Sequence, residues 1–464
     1  MAARAQLEKF RLTGEKRAAT IGGHLARKHQ VTVLERPSMR IRSVTPLLAE
    51  GSIVGSWVFA RVETEDGVVG YGEGTRHAGP VIAEAIKWLE PVIAGESPYD
   101  IEMLYNAMHD KVDYVWGAVF SCAMSAIESA LWDIVGKDTG RPVHDLIGGR
   151  TWESCRLYTH IGGGSQINRL SVEEGIRASE DFDAIGRRAE DLKRRGFTAV
   201  KTFTSDRYDR SGRAKLIDFK PNLEISLASI KKTAKKVEFL RRVLGDEVEI
   251  AIDVHGLNVA SAVRLGQALE PYGLMWYEEP VPPFNYAALK QVREQVRIPI
   301  CMSERLHETA DYSGLIQSGL ADLVMIDPQW CGGVMQSKRI AAMAQANHMS
   351  LTIHNCNSPL ASVINAHIAM STPNFTMMEF MDPDVAWCDE VLSEPLAIKD
   401  GQLVLNGKPG WGIDLNERAL ARHPYVRGKA QYEVRWSGVT QDRLEKRRSA
   451  STKRRGGGEP ARGA

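Results

Sequence analysis

Five short apolar runs, each closed by an acid or a histidine, constrain what this chain can fold into. Ile250-Ala251-Ile252 ends in Asp253. Leu274-Met275-Trp276-Tyr277 ends in Glu278 and Glu279. Ile298-Pro299-Ile300-Cys301-Met302-Ser303 ends in Glu304, Leu323-Val324-Met325-Ile326 in Asp327, and Leu351-Thr352-Ile353 in His354. From Asp253 the steps are 25, 26, 23 and 27 residues, each about one buried strand plus its return helix. The repetition predicts that polar side chains from five successive parallel strands end at one face of one structure.

The same rhythm extends in both directions. Strands are expected at 155–160, 198–203, 248–254, 274–278, 298–302, 322–327, 350–354 and 376–380. Between them lie helical stripes such as Ile230, Val237, Leu240 and Leu244, ended by Gly245. Eight strands alternating with helices fit a (β/α)8-type barrel. Gly162-Gly163-Gly164 makes the first connection irregular. Residues 204–224 form a long polar loop after the second strand, on the face where barrel enzymes carry their catalytic loops.

Ahead of the barrel the pattern differs. Arg40-Ile41-Arg42-Ser43-Val44 alternates, residues 55–64 read as a strand, Glu65-Asp66-Gly67 as a turn and residues 68–74 as the returning strand. Met124, Ile127, Leu131 and Ile134 form a helical stripe, closed by Gly136 and Gly140-Arg141-Pro142. The expected organisation is a polar extension over 1–36 and an α+β capping domain over 37–154. A catalytic barrel over 155–392 follows, then a turn-rich segment over 393–425 that returns to the cap and a basic, disordered tail over 426–464.

Composition excludes several classes. A net charge of +1 across 464 residues argues against a generic polyanion binder. The end of the chain, 440–464, holds eight Lys or Arg against three acids; a solvated tail accounts for it better than a nucleic-acid arm. No run approaches the roughly 18 apolar residues of a membrane span. The six cysteines are scattered without a Cys-x-x-Cys pair, which reads as reduced thiols in a cytoplasmic protein.

Asp253, one of Glu278 and Glu279, and Glu304 suit a hard divalent cation such as Mg²⁺, which takes oxygen ligands and keeps positions for water and substrate. Any one of these acids is equally explained by a rim ion pair; three at near-equal spacing favour the metal. His255, two residues after Asp253, falls on the same side of an extended strand and is a candidate general acid. Asp327 and His354 lie on the next two strand ends, where a carboxylate bonded to imidazole orients it and raises its basicity. Glu379 on the last strand completes the ring and is placed to hydrogen-bond a substrate oxygen.

These motifs resemble the enolase superfamily, in particular its mandelate racemase subgroup. The resemblance rests on Asp253-Val254-His255-Gly256, Trp276-Tyr277-Glu278-Glu279-Pro280, Ser303-Glu304-Arg305-Leu306, Asp327-Pro328 with Gly332-Gly333, and His354-Asn355 with Asn357-Ser358-Pro359. Ala130-Leu131-Trp132-Asp133-Ile134, Gly136-Lys137 and Gly148-Gly149 add the end of the capping domain. The match covers residues 39 to about 420. It implies a modified (β/α)7β TIM-type barrel of class α/β with an N-terminal α+β cap, and a homo-oligomer. It also implies one Mg²⁺ per site on Asp253, Glu278 and Glu304, and abstraction of the proton alpha to a carboxylate. An alpha proton of a carboxylate is so weakly acidic that the second negative charge needs a cation placed in advance. Members of this superfamily accordingly pair a Lys or His base with Mg²⁺.

Racemases of the subgroup carry a Lys-x-Lys pair on the second strand. Here the sequence is Lys201-Thr202-Phe203, and Phe203 cannot take a proton. What remains resembles sugar-acid dehydratases of the galactonate dehydratase kind. In those, the His354–Asp327 pair would remove the alpha proton and His255 would protonate the departing 3-hydroxyl, giving a 2-keto-3-deoxy acid from a small-molecule sugar acid. A sugar-lactone cycloisomerase or an epimerase on the same scaffold is the alternative. Lys201 is either a substrate-carboxylate contact or a rim salt bridge. His160, His307 and Trp387, with the loops at 49–55 and 77–79, are candidate specificity contacts. Tyr208 in the long loop is a candidate second acid or base, as in mannonate-type relatives.

Overall fold

The computed structural model describes residues 39–51, 56–75, 77–162, 181–205, 224–382 and 385–426. Both terminal extensions, Tyr208 and nearly all of the 204–224 loop lie outside the described residues, as do 52–55 and Gly163-Gly164.

The first unit is a three-stranded antiparallel sheet in the order β1 (Ile41–Glu50), β2 (Ser56–Thr64), β3 (Val69–Glu73). Gly67, at φ 84°, makes the β2–β3 turn that the sequence signals. Helices Gly79–Ile93 and Ala118–Thr139 pack against the sheet, and Ile101–Val112 packs on both of these helices. The stripe Met124, Ile127, Leu131, Ile134 is fully buried, but so are Cys122, Ala123, Ala126 and Ala130 around it. This helix is enclosed on more than one side, so a single stripe understates its burial. It is the one helix among the described residues long and apolar enough to cross a membrane, and 78% of its apolar window is buried inside the protein.

Its contact with β3 is unusually close. Gly70, Gly72 and Gly74 alternate on the strand and turn one edge to the helix. A Cβ at these positions would lie 2.2, 2.0 and 2.1 Å from the carbonyl oxygens of Ala130, Ala126 and Cys122. Period two on the strand meets period four on the helix, backbone against backbone.

The second unit is a closed parallel barrel. Its strands are β4 (Cys155–His160), β5 (Ala199–Phe203), β6 (Glu249–Asp253), β7 (Trp276–Glu278), β8 (Ile300–Met302), β9 (Leu323–Ile326), β10 (Ser350–Ile353) and β11 (Phe375–Glu379), with β11 pairing back to β4. Among the described residues seven α-helices connect them, from Phe182–Arg194 to Pro359–Met370, and no α-helix follows β11 before the chain leaves the barrel. That is the (β/α)7β form. Caps agree with local sequence: Ser226, Asn258 and Asn285 accept N–H bonds at the starts of the helices Leu227–Leu244, Val259–Leu269 and Tyr286–Arg293.

After the barrel, β12 (Ile398–Lys399) and β13 (Gln402–Leu403) form a hairpin whose second strand pairs antiparallel with β4. Trp411 then reaches the first unit: its Nε1–H donates to the Tyr71 carbonyl at 2.8 Å, and its amide donates to Asp133 Oδ1 at 2.9 Å.

Candidate active site

The barrel interior is built in two layers by period-two alternation. Tyr158, Ala199, Ala251, Trp276, Cys301, Met325 and Met377, from seven of the eight strands, form an apolar plug. Two residues further along those strands stand His160, Lys201, Asp253, Glu278, Ser303, Asp327 and Glu379, and on β10 Thr352 is followed in the same way by His354. The polar ring is thus the next pleat above the plug.

Two members break the alternation. On β8 the inward position belongs to Ser303, not Glu304. Ser303 has φ 100°, and this left-handed turn brings Glu304 inward instead. His255 also lies beyond its strand, at φ 55°. Strand alternation therefore does not explain its direction; the turn does. Its Nδ1 lies 2.5 Å from Asp253 Oδ1 and its Nε2 4.0 Å from Glu304 Oε1.

The structure separates the two glutamates of the Glu278-Glu279 pair. Glu278 faces the ring, 2.9 Å from Lys201 Nζ, and accepts from Trp276 Nε1 at 3.0 Å. Glu279 turns to Arg305, which grips it at 2.6 and 2.7 Å. Burial, then Glu304 nearby, pushes the Glu279 carboxyl up to about 7. Glu278, buried and crowded by Asp253 and Glu304 despite Lys201, is pushed well above the usual carboxylate range.

Lys201 is not at a rim. It is 1% exposed, with its ammonium 2.9 Å from Glu278, 2.9 Å from Glu379 and 3.8 Å from Asp253. Burial alone would depress it, but Glu278 and Glu379 hold it protonated, well above its ordinary value. Glu379 is held well below the usual range: Lys201, His354 and His160 overcome its burial. His160 bonds Glu379 and meets the edge of Phe203 at 5.1 Å.

On the other side of the ring, His354 Nδ1 lies 2.7 Å from Asp327 Oδ2, and His354 Nε2 lies 3.5 Å from Glu304 and 3.6 Å from Glu379. Asp327 also accepts from Asn357 Nδ2 on both oxygens, at 3.0 and 3.2 Å, and from the Gln329 amide at 2.9 Å. Asn357, Gln329 and Asn365 bond one another in turn. Burial would lower the His354 imidazole, yet the carboxylates around it, Glu304 foremost, raise it well above its ordinary value.

The remaining candidates have other neighbours. His307 precedes the helix Glu308–Ser318, with Nδ1 3.6 Å from Asp311. Trp387 is 6% exposed, stacked on His423 at 4.4 Å and tilted against Trp57 at 5.1 Å, within an apolar cluster that includes Leu360, Ile364 and Trp411. Sequence reasoning assigns no role to Asn357, Gln329 or Trp330, whose partners come from distant segments.

The donor set fits a hard dication. Asp253, Glu278, Glu279, Glu304, Asp327 and Glu379 are all buried within this one region, where Lys201 and Arg305 are the fixed cations. Glu304 Oε2 is buried without a hydrogen-bond partner. Among the described residues no three or more His, Cys, Asp or Glu side chains form a closed metal cage, but Mg²⁺ binds through few carboxylates and retains waters. Excess buried negative charge and an orphaned carboxylate oxygen are what such an ion offsets.

Residues 32–148 match the family of mandelate racemase / muconate lactonizing enzyme N-terminal domains, and residues 184–419 match the enolase C-terminal domain-like family. A D-galactonate dehydratase family member of Pantoea ananatis is 32% identical over 84% of this chain and 95% of its own length. A D-xylonate dehydratase of Haloferax volcanii is 29% identical over 81% of this chain and 87% of its own. The crystal structure of a mandelate racemase/muconate lactonizing enzyme-like protein from Rubrobacter xylanophilus superposes with a TM-score of 0.74 at 30% identity, over 83% of this chain and 98% of that one.

Proposed function

The chain belongs to the mandelate racemase / muconate lactonizing enzyme family of the enolase superfamily, and on that premise we propose that it is a Mg²⁺-dependent sugar-acid dehydratase. The observation that carries the reading is the placement of two imidazoles around one carboxylate. His354 Nε2 and His255 Nε2 approach Glu304 at 3.5 and 4.0 Å, so a base and an acid reach one small volume, while Phe203 supplies no second base on β5.

His354, oriented by Asp327, takes the proton alpha to the substrate carboxylate. His255 gives a proton to the 3-hydroxyl as the C3–O bond breaks, so water leaves and the electron pair of the broken C–H bond becomes the new C–C double bond. The resulting enol tautomerises to a 2-keto-3-deoxy acid. Asp253, Glu278 and Glu304 would hold Mg²⁺, which would supply positive charge against the second negative charge of the deprotonated substrate. Glu379 accepts a hydrogen bond from a substrate hydroxyl. Lys201 balances Glu278 and Glu379; with two carboxylates already at 2.9 Å, we assign it charge compensation rather than substrate contact.

The relatives' names point to D-galactonate and D-xylonate as first substrates. Incubation with these two acids and with D-mannonate plus Mg²⁺, followed by semicarbazide detection of the 2-keto acid, tests the reading. Turnover of sugar lactones with no 2-keto-3-deoxy product from any acid would remove it in favour of a cycloisomerase.

A further inference from the structure

Trp330 follows Asp327 by three residues, yet its contacts place it in the core of the N-terminal unit, with residues of the sheet and of the Ala118–Thr139 helix. Its indole Nε1–H donates to the carbonyl of Thr75, just past β3. Its own carbonyl accepts from Ser121 Oγ on the helix. Its amide donates back to the Asp327 carbonyl at 2.9 Å. The ring, 4% exposed, lies on the imidazole of His354 with centroids 4.7 Å apart and planes at 50°.

We infer that Trp330 is a positioning residue that fixes the plane of the His354 imidazole and ties that plane to the seating of the N-terminal unit through Thr75 and Ser121. The inference rests on the reading of His354 as the base. The bond from Nδ1 to Asp327 fixes one line through the ring, and Glu304 and Glu379, at 3.5 and 3.6 Å from Nε2, restrain rocking about that line only loosely. A second contact on its face is needed to aim Nε2, and the tilted indole supplies it. Such an aromatic pair contributes about 0.5–1.5 kcal/mol beyond area burial, a modest stabilising effect. Its effect on rate is larger, because a misplacement of about 1 Å at a reacting group costs on the order of 10²-fold.

The anchors make this more than local packing. Neighbouring groups of the same loop are held from the same side: Gly332 N–H donates to Ser125 Oγ, and Val334 and Met335 N–H donate to Glu128. The loop after His354 is held in parallel, because Glu73, the last residue of β3, accepts from the amides of Ser358 and Ala361 at 2.9 Å each. Both halves of the dyad are therefore gripped by one unit, and Trp330 is the grip that touches the imidazole.

The test compares Trp330→Leu, Trp330→Phe and Ser121→Ala in the full chain with Mg²⁺. Exchange of the alpha proton of D-galactonate, D-xylonate and D-mannonate is followed in deuterium oxide. Trp330→Leu is expected to lower kcat for exchange by about 10²-fold with KM moved less than about threefold, and Trp330→Phe, which keeps a ring face, to recover most of it. Independently of any substrate, the downfield proton on His354 Nδ1, assigned by its loss in His354→Asn, is expected to persist in Trp330→Phe and to exchange rapidly with water in Trp330→Leu. A purely structural tryptophan would lower the melting temperature and leave kcat and that resonance unchanged, and this result overturns the proposal. If Trp330→Leu does not fold, Ser121→Ala, which removes the anchor on the Trp330 carbonyl, decides by the same two readouts: kcat for exchange is expected to fall and the Nδ1 proton to exchange faster, and no change in either overturns the proposal. If His354→Asn retains exchange, the assignment of the base fails, and the resonance alone decides whether Trp330 orients the ring.

Discussion

The two halves of the polar ring are held in opposite ways. On β9 to β11, Asp327, His354 and Glu379 sit in a satisfied network: Asp327 accepts from His354, Asn357 and Gln329, and Glu379 from His160, Lys201 and the Asn355 amide. On β6 to β8, Asp253, Glu278 and Glu304 face one another, and Glu304 Oε2 lacks a hydrogen bond. The protein itself hydrogen-bonds the half proposed for proton transfer. In the carboxylate half, Glu278 is pushed up by burial and by Asp253 and Glu304 despite Lys201, a crowding that an added cation would relieve. On the proposed reading, pre-organisation and metal dependence would fall to different arcs of one barrel.

His354→Asn challenges this division most directly. Exchange of the alpha proton with solvent deuterium should fall by about 10⁴-fold, the upper end for a general base, read by proton NMR of the substrate. Retained exchange would place the base elsewhere. His255→Asn comes next: elimination, measured as 2-keto acid, should drop by about 10²–10³-fold while exchange at the alpha carbon persists. Equal loss of both would mean that His255 serves the metal half alone.

The third prediction concerns the frustrated arc. Mg²⁺ at about 100 times its dissociation constant should stabilise the chelated protein by about 2.7 kcal/mol, seen in thermal melts. In Glu304→Gln this increment should shrink, because the variant removes both a ligand and a repulsion. A full increment in that variant would take Glu304 out of the ion's site.

The last prediction concerns pH dependence, outside the polar ring. Burial raises the carboxyl of Glu128 from 4.5 to about 7 despite three N–H donors. A group raised on folding binds its proton more tightly in the native state, so stability falls as pH rises from about 4.5 to about 7 and is then level in that contribution. Glu128→Gln should flatten the fall of the melting temperature across that window by a few degrees, about 3 kcal/mol at most on the linkage relation. An unchanged slope would mean that Glu128 is ionised throughout.

Much of this is legible in the sequence, for a definite reason. Asp253, Glu278, Asp327, His354 and Glu379 each end an apolar run, and period-two alternation in a strand carries them to the same face. Glu304 and His255 are legible by chemistry only. Alternation alone would aim Ser303 inward in place of Glu304, and the left-handed residues that redirect the chain at Ser303 and His255 leave no periodic trace. Lys201 reads as a possible rim charge because a lysine in a five-residue strand gives no sign of its depth; two carboxylates at 2.9 Å keep it inside. Trp330 and Asn357 are opaque for another reason. The partners of Trp330, Thr75 and Ser121, are more than two hundred residues away, and no local pattern announces them.

The glycines of β3 set how the first unit can respond to load. Between Gly70, Gly72, Gly74 and the carbonyls of Ala130, Ala126 and Cys122 there is no layer of side chains to compress or repack. Side chains absorb small displacements by changing rotamer; touching backbones have no such compliance. Strand and helix therefore move as one beam, with Thr75 and Glu73 at its end. A displacement of the 118–139 helix would therefore be passed by backbone contact toward the loops that follow β9 and β10, and accommodation of a bulkier ligand would have to come from elements other than this beam.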